Sequence, residues 1–190
     1  MTMAEVEIVG GRERRPIVVV EHDPAWAARF ASLRGPLVEG LAGIAVRVEH
    51  VGSTSVPGLA AKPIVDVQLV VEEPDREERF GPALSRLGYH VRVREPGHRM
   101  FRTPERDVHL HVWRAGSEDE RRHLLFRDWL RRTPADCERY AAVKRQLAQR
   151  AWESMDDYAE AKTAVIEEIL LRAEAWAREG GWSFPPRSAA

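Results

Sequence analysis

The sequence predicts an α+β fold: a mixed β-sheet with flanking helices, followed by a C-terminal helical bundle. Three observations carry this reading. Between residues 46 and 113, short strand-like runs alternate with Gly- and Pro-rich turn signals. Ile64–Val71 is nearly continuous in apolar residues, as in a strand buried on both faces. After Gly116 the strand patterns stop and only helical spacing remains.

The elements follow in order. Val18–Val20 reads as a short strand. Asp23 is a good N-cap and Pro24 fits the first helical position. Trp26, Phe30, Leu33, Leu37 and Leu41 then recur at helical spacing, with a kink or restart expected at Gly35-Pro36. Val46–Val51 and Ile64–Val71 are strands. Pro74–Leu87 reads as a helix closed by Gly88. Residues 89–95 alternate as a strand, Pro96-Gly97 turns, Met100–Thr103 returns antiparallel, and Val108–Trp113 adds a further strand. Ser117 and Glu120 form a capping box for a helix to about Arg132. Thr133-Pro134 starts another to about Trp152, and Met155-Asp156 a third, ending at Gly180-Gly181. The expected division is a flexible leader over 1–16, an α/β core over 17–116, a helical part packed on it over 117–180, and a tail over 181–190.

The chain has 190 residues, 44% of them hydrophobic, enough for one domain with a core or one domain plus a helical appendage. The formal net charge of -1 argues against a nucleic-acid partner, because no global basic field exists. The single cysteine, Cys137, excludes a disulfide framework and reads as a structural or surface residue. No apolar run approaches the roughly 18 residues needed to span a bilayer. The N-terminus has acids and no apolar core of a signal peptide. The expectation is a soluble cytoplasmic protein.

Chemistry concentrates in three places. Gly52-Ser53 follows a strand, where Gly lets a ligand approach the backbone and hydroxyl and N–H groups can hold phosphate oxygens. A simple turn explains the pair equally well. It is not a P-loop, and Val56-Pro57 after Ser55 excludes a nucleophile elbow. Asp66 is a carboxylate in an apolar strand, costly unless paired or ligating a metal. Asp66, Gln68, Val70 and Glu72 share one face, and the plainer alternative is an Asp bonded to backbone or to Lys62. His109 and His111 share a strand face with Asp107, and such a pair can hold a divalent metal or protonate a phosphate. Cations available to meet phosphates are Lys62, Arg102, Arg127 with Arg131 on one helix face, Lys144 and Lys162. Trp26, Trp129 and Trp152 read as core, and Trp113 as core or a base-stacking ring.

Gly52-Ser53, then twelve residues, then Asp66 in a strand resembles the nucleotidyltransferase pattern. "HDPAW", "EHVGSTSVPGLAAKPIVDV", "LGYH", "HLHVW", "HLLFRDWLR", "YAAVKRQLA" and "YAEAK" resemble the GrpB family more closely, over roughly residues 18–172. That resemblance implies a nucleotidyltransferase-like mixed sheet with trailing helices. It implies transfer of a nucleoside monophosphate from an NTP to a small-molecule acceptor, with Mg²⁺ (or Mn²⁺ or Zn²⁺) as cofactor. Gly52, Ser53, Thr54 and Ser55 would hold phosphates, with Lys62, Arg102, Arg127 and Lys144. Asp66 would ligate metal, completed by His109 and His111, which alternatively act as acid and base. Family relatives fused to dephospho-CoA kinase point to nucleotide-related metabolism. The sequence departs from the superfamily where a second carboxylate is expected: that position is Gln68. Glu49, Glu72 or Asp107 would have to help, or the histidines recruit another metal. The rival readings are a non-catalytic nucleotide- or CoA-type binding module and a His-ligated metal enzyme.

Overall fold

The structure, a computed structural model, describes residues 6–184. The portions of the expected leader and tail at residues 1–5 and 185–190 lie outside the described residues. Among the described residues six strands form one sheet: β1 (Glu7–Ile8), β2 (Ala45–Val51), β3 (Val65–Val71), β4 (His90–Glu95), β5 (His98–Arg102) and β6 (Val108–Arg114). Their spatial order is β1-β4-β5-β6-β3-β2. β3 and β6 run parallel, and every other neighbouring pair is antiparallel. The sheet is therefore mixed, and its parallel pair contains the strand that reads as nearly continuous in apolar residues.

Among the described residues six α-helices flank it: α1 (Ala25–Gly40), α2 (Gly81–Arg86), α3 (Glu118–Arg132), α4 (Pro134–Ala148), α5 (Met155–Glu160) and α6 (Thr163–Arg178). The two faces of the sheet differ in kind. One is apolar: Val48, Val65, Val67, Leu69, Val71, Phe101, Val108, Leu110 and Val112 pack with Trp26, Leu37 and Leu41 around α1 and with Ala83 and Leu84 of α2. Burial of this surface is the main driving force for closing the sheet on α1. The other face is polar. In register, Glu49 lies opposite Gln68 and Gln68 beside His111, while Asp66 lies beside His109 and His109 opposite Arg102. The helices after Gly116 cover part of this face. A second apolar cluster, including Val56, Leu59, Leu130, Tyr140, Val165 and Ile169, seats them on the turn after β2.

Several elements differ from expectation for local reasons. The described part of the expected leader is tied down. β1 pairs with β4, Val9 N donates to the Arg92 carbonyl, and the Arg92 guanidinium donates to the carbonyls of Val9 and Gly11. Val18–Val20 forms no strand, only a bridge from Val20 to Ala61. α1 runs unbroken through Gly35-Pro36. The expected 74–87 helix is a 3-10 turn at Glu77–Arg79 followed by the short α2, because Gly81-Pro82 restarts the chain. The expected third C-terminal helix breaks at Ala161-Lys162 into α5 and α6.

The Ser117 box is realised in part. Ser117 Oγ accepts from Glu120 N at 3.2 Å, but the Glu120 carboxylate takes Gly116 N at 2.7 Å and Arg47 Nη1 at 2.5 Å. Arg47 of β2 and Glu120 of α3 are buried to 2% and 1% side-chain exposure, so this pair pins the helical layer to the polar sheet face. Glu120→Ala removes the carboxylate from a buried guanidinium and should cost about 3 kcal/mol. Urea unfolding should show the midpoint falling with an unchanged m-value, whereas exchange of a surface pair such as Arg139–Glu168 should leave it within about 0.5 kcal/mol.

Candidate functional site

A cavity of about 380 Å³ opens between the polar sheet face and the helical layer. Its lining includes Ser53 of the turn after β2, Lys62, Asp66 of β3, His109 and His111 of β6, Lys144 of α4, Tyr158 of α5 and Lys162. Seven cations (Arg15, Lys62, Arg92, Arg102, Arg106, Lys144, Lys162) and three acids (Glu13, Asp66, Asp156) line it, so it favours an anionic occupant.

The turn is built around one glycine. Gly52 has φ +67°, and a Cβ there would come within 2.2 Å of Asp66 Oδ2. Ser53–Ser55 then form one 3-10 turn. Its three hydroxyls diverge. Lys144 Nζ donates to Ser53 Oγ at 2.9 Å and to the Ala60 carbonyl, so Ser53 is held at the cavity wall. Thr54 Oγ1 lies 3.1 Å from His50 Nε2, and Ser55 Oγ donates to the Gly52 carbonyl at 2.6 Å. Both are buried and spent on holding the turn.

Asp66, His109 and His111 converge. Asp66 Oδ1 lies 3.5 Å from His109 Nδ1 and 3.9 Å from His111 Nε2, and one ligand atom from each lies within 4.8 Å of the others. Burial would raise the Asp66 carboxyl. The two imidazoles outweigh it and hold the group well below the usual carboxylate range. One carboxylate and two imidazoles suit Zn²⁺, Mn²⁺ or another transition metal better than Mg²⁺, which prefers oxygen ligands.

Behind His111 runs a chain with no signature in the linear motif. Glu95 Oε1 lies 2.5 Å from His98 Nδ1, and His98 Nε2 lies 3.2 Å from His111 Nδ1. With Glu95 as acceptor, His98 donates from Nδ1 and accepts at Nε2 from His111 Nδ1–H. His98 thereby holds the Nδ1–H of His111 and would leave Nε2 to a metal shared with Asp66, the arrangement a metal ligand needs. His98 is fixed by stacking on Trp113 at 3.8 Å, and burial with the neighbouring imidazoles lowers it to about 3. Trp113 is thus a wall of this chain.

Other expected residues are engaged elsewhere. Gln68 is fully buried beneath α3: its Nε2 donates to the Glu120 carbonyl at 3.4 Å and its Oε1 lies 3.2 Å from His123 Nδ1. It does not line the cavity. Arg127 Nη1 donates to Glu49 at 2.9 Å and to the His50 carbonyl, its Nε donates to Asp128, and it ties α3 to β2 outside the cavity lining. Arg131 caps the Ser55 carbonyl at 2.8 Å. Asp107 accepts from Thr103 and Arg29, and Glu72 follows the far end of β3 from Asp66. Arg102 does line the cavity, paired at 2.8 Å with Glu13. Glu13, Arg15 and Tyr158 are lining residues that sequence reasoning missed, since each reaches the site through tertiary packing alone.

The chain matches the family model described as GrpB protein over residues 16–172. A UPF0157 protein of Streptomyces coelicolor is 48% identical over 170 residues, 90% of this chain and 91% of its own length. The crystal structure of the conserved protein GrpB from Enterococcus faecalis superposes with a TM-score of 0.73 at 36% identity, covering 84% of this chain and 99% of that one.

The chain belongs to the GrpB family. A more distant relative, a protein of Mycolicibacterium paratuberculosis named dephospho-CoA kinase, is 30% identical over 198 residues. That match covers 89% of this chain but 49% of the relative, so the chain spans about half of that protein. The GrpB match contains every site residue from Ser53 to Lys162, while Glu13 and Arg15 precede it. Among the described residues no helix is long and apolar enough to cross a membrane.

Two outcomes test this geometry. Gly52→Ala combines a positive φ with overlap on Asp66 and should cost at least about 2 kcal/mol in chemical denaturation. Burial, then neighbouring cations, lowers Lys144 to about 7 and Lys162 to about 8. Between those values and the ordinary lysine range the unfolded chain binds more protons, so both groups destabilise the fold at low pH and less as pH rises. The stability difference between Lys144→Met and wild type, measured by urea unfolding, should therefore shift in favour of wild type from pH 6.5 to pH 9.

Proposed function

We propose that this GrpB-family chain binds a nucleoside triphosphate in its cationic cavity and transfers the nucleoside monophosphate to a small-molecule acceptor. One observation carries the reading. The Ser53–Lys144 contact on the Gly52 turn and the Asp66–His109–His111 cluster adjoin each other in a single cavity, as phosphate binding beside a metal requires. A metal at that cluster, Mn²⁺ or Zn²⁺ by its donor set, would neutralise phosphate charge and polarise the phosphorus under attack. Ser53 and Lys144 hold phosphate oxygens, Gly52 permits close approach, and His98 with Glu95 orients His111. The acceptor oxygen bonds to the α-phosphorus as the bond to the bridging oxygen breaks, and pyrophosphate and the acceptor's proton leave. The relative named dephospho-CoA kinase supports a nucleotide-type ligand.

A second reading has its own support. Asp66 is the one acid of the cluster, whereas a two-metal site needs several anionic ligands. On that reading the chain holds a nucleotide- or CoA-type ligand without transferring it. Titration calorimetry with ATP, run metal-free and with Mn²⁺, Zn²⁺ or Mg²⁺, separates the two. Transfer requires affinity that rises at least about tenfold with Mn²⁺ or Zn²⁺, loss of that gain in Asp66→Asn, and pyrophosphate release with some acceptor. Tight binding that ignores metal, with no pyrophosphate released across an acceptor panel, leaves the binding module standing.

A further inference from the structure

Tyr158 is 1% exposed and lines the cavity, yet its hydroxyl has no hydrogen-bond partner among the described residues. Lys62 Nζ and Lys162 Nζ stand 5.4 and 5.0 Å from the centre of its ring. Both lysines line the same cavity and are half-buried, and neither forms an ion pair or hydrogen bond with a described residue. Burial lowers both, Asp66 offsets part of this at each, and Lys62 adds like-charge repulsion at Lys162. Lys144 differs, because two of its three ammonium donors are engaged by Ser53 Oγ and the Ala60 carbonyl.

This arrangement is unfavourable in the empty protein. An enclosed hydroxyl without a partner costs about 1–3 kcal/mol, and two ammonium groups set against one ring repel one another. The ring face offsets part of the charge by cation–π attraction, but it offers no hydrogen-bond acceptor. A group that accepts hydrogen bonds from all three and carries negative charge would relieve every one of these penalties at once. Phosphate does so, with several acceptor oxygens.

We propose that Tyr158, Lys62 and Lys162 form a second oxyanion station, separate from the Ser53–Lys144 turn, which holds a phosphate group of the cavity's ligand. The inference rests on the nucleotide reading above for the kind of ligand, and it names what that ligand must present: two anionic groups, one at each station. The second group is either the nucleotide's own distal phosphate or a phosphate on the acceptor.

The test uses the full chain and pyrophosphate alone, without metal, in titration calorimetry, with thermal melting alongside. Tyr158→Phe should weaken pyrophosphate about tenfold, and Lys162→Met by at least as much. Tyr158→Phe should melt at or above the wild-type temperature, because it deletes an unpartnered hydroxyl. That combination, weaker binding in a fold that is no less stable, is what a structural role for Tyr158 would not produce. Equal pyrophosphate affinity in both variants, or a Tm several degrees lower in Tyr158→Phe, overturns the station. A non-hydrolysable triphosphate identifies the source: displacement of pyrophosphate by it assigns the station to the nucleotide, and simultaneous binding assigns it to the acceptor. Pyrophosphate binding that depends on Tyr158 in a protein that binds no nucleoside triphosphate upholds the station and removes the nucleotide reading.

Discussion

Asp66 lies so close beneath the Gly52 backbone that a single methyl group there would overlap its carboxylate. This contact joins two parts of the chain that the sheet pairing brings together, the end of β2 and the start of β3. It sets the Ser53 hydroxyl beside the acid, and it allows Lys144 to reach the turn from α4. Because β6 runs parallel beside β3, the same acid also receives His109 and His111 from one strand face. Moving β3 by one residue would turn Asp66 into the apolar face against α1 and dissolve the cluster.

The polar sheet face then dictates what the helices must supply. Buried polar groups need partners, and here α3 supplies several of them. Glu120 meets Arg47, His123 and the Glu120 carbonyl meet Gln68, and Arg127 meets Glu49. These contacts are specific in a way an apolar interface is not, since a shifted helix would leave several charges inside without partners. The cavity is the part of this face that the helices leave uncovered. In its lining, cations outnumber acids.

Much of the fold was legible because period-2 and helical spacing are local properties. The β2, β3 and β6 strands, the Pro96-Gly97 hairpin and the Ser117 cap follow from residues within a few positions of one another. What failed to show were features set by distant partners. Nothing near Glu7 announces a pairing with Arg94, and Pro36 stays inside α1 although its local effect is to break helices. The same distinction divides the site. Gly52, Ser53, Asp66, His109 and His111 stand out by type and spacing. His98 reads only as one residue of a hairpin, and its role depends on Glu95 three residues before it and His111 on the next strand. Thr54, Ser55 and Arg127 stood in the motif as phosphate ligands, but their hydrogen bonds build the turn and its support.

Gln68 shows why a motif position and a site position differ. It shares a strand face with Asp66 two residues earlier, the spacing at which a second metal-binding acid is expected. Yet α3 lies over it, and both ends of its amide are engaged. A carboxylate there would sit beside the Glu120 carbonyl with no donor to replace the amide N–H, so a charge at this position would have an acceptor facing an acceptor. The neutral side chain follows from how the helical layer is seated. The seating in turn moves the second and third metal donors one strand over, to the imidazoles of β6. Two neutral ligands replacing acids lower the negative charge of the cluster, which reduces its hold on hard dications and leaves more of the ligand's charge to be met by Lys62, Lys144 and Lys162. The cationic character of the cavity and the nitrogen character of its donor set are thus two consequences of the same helix packing.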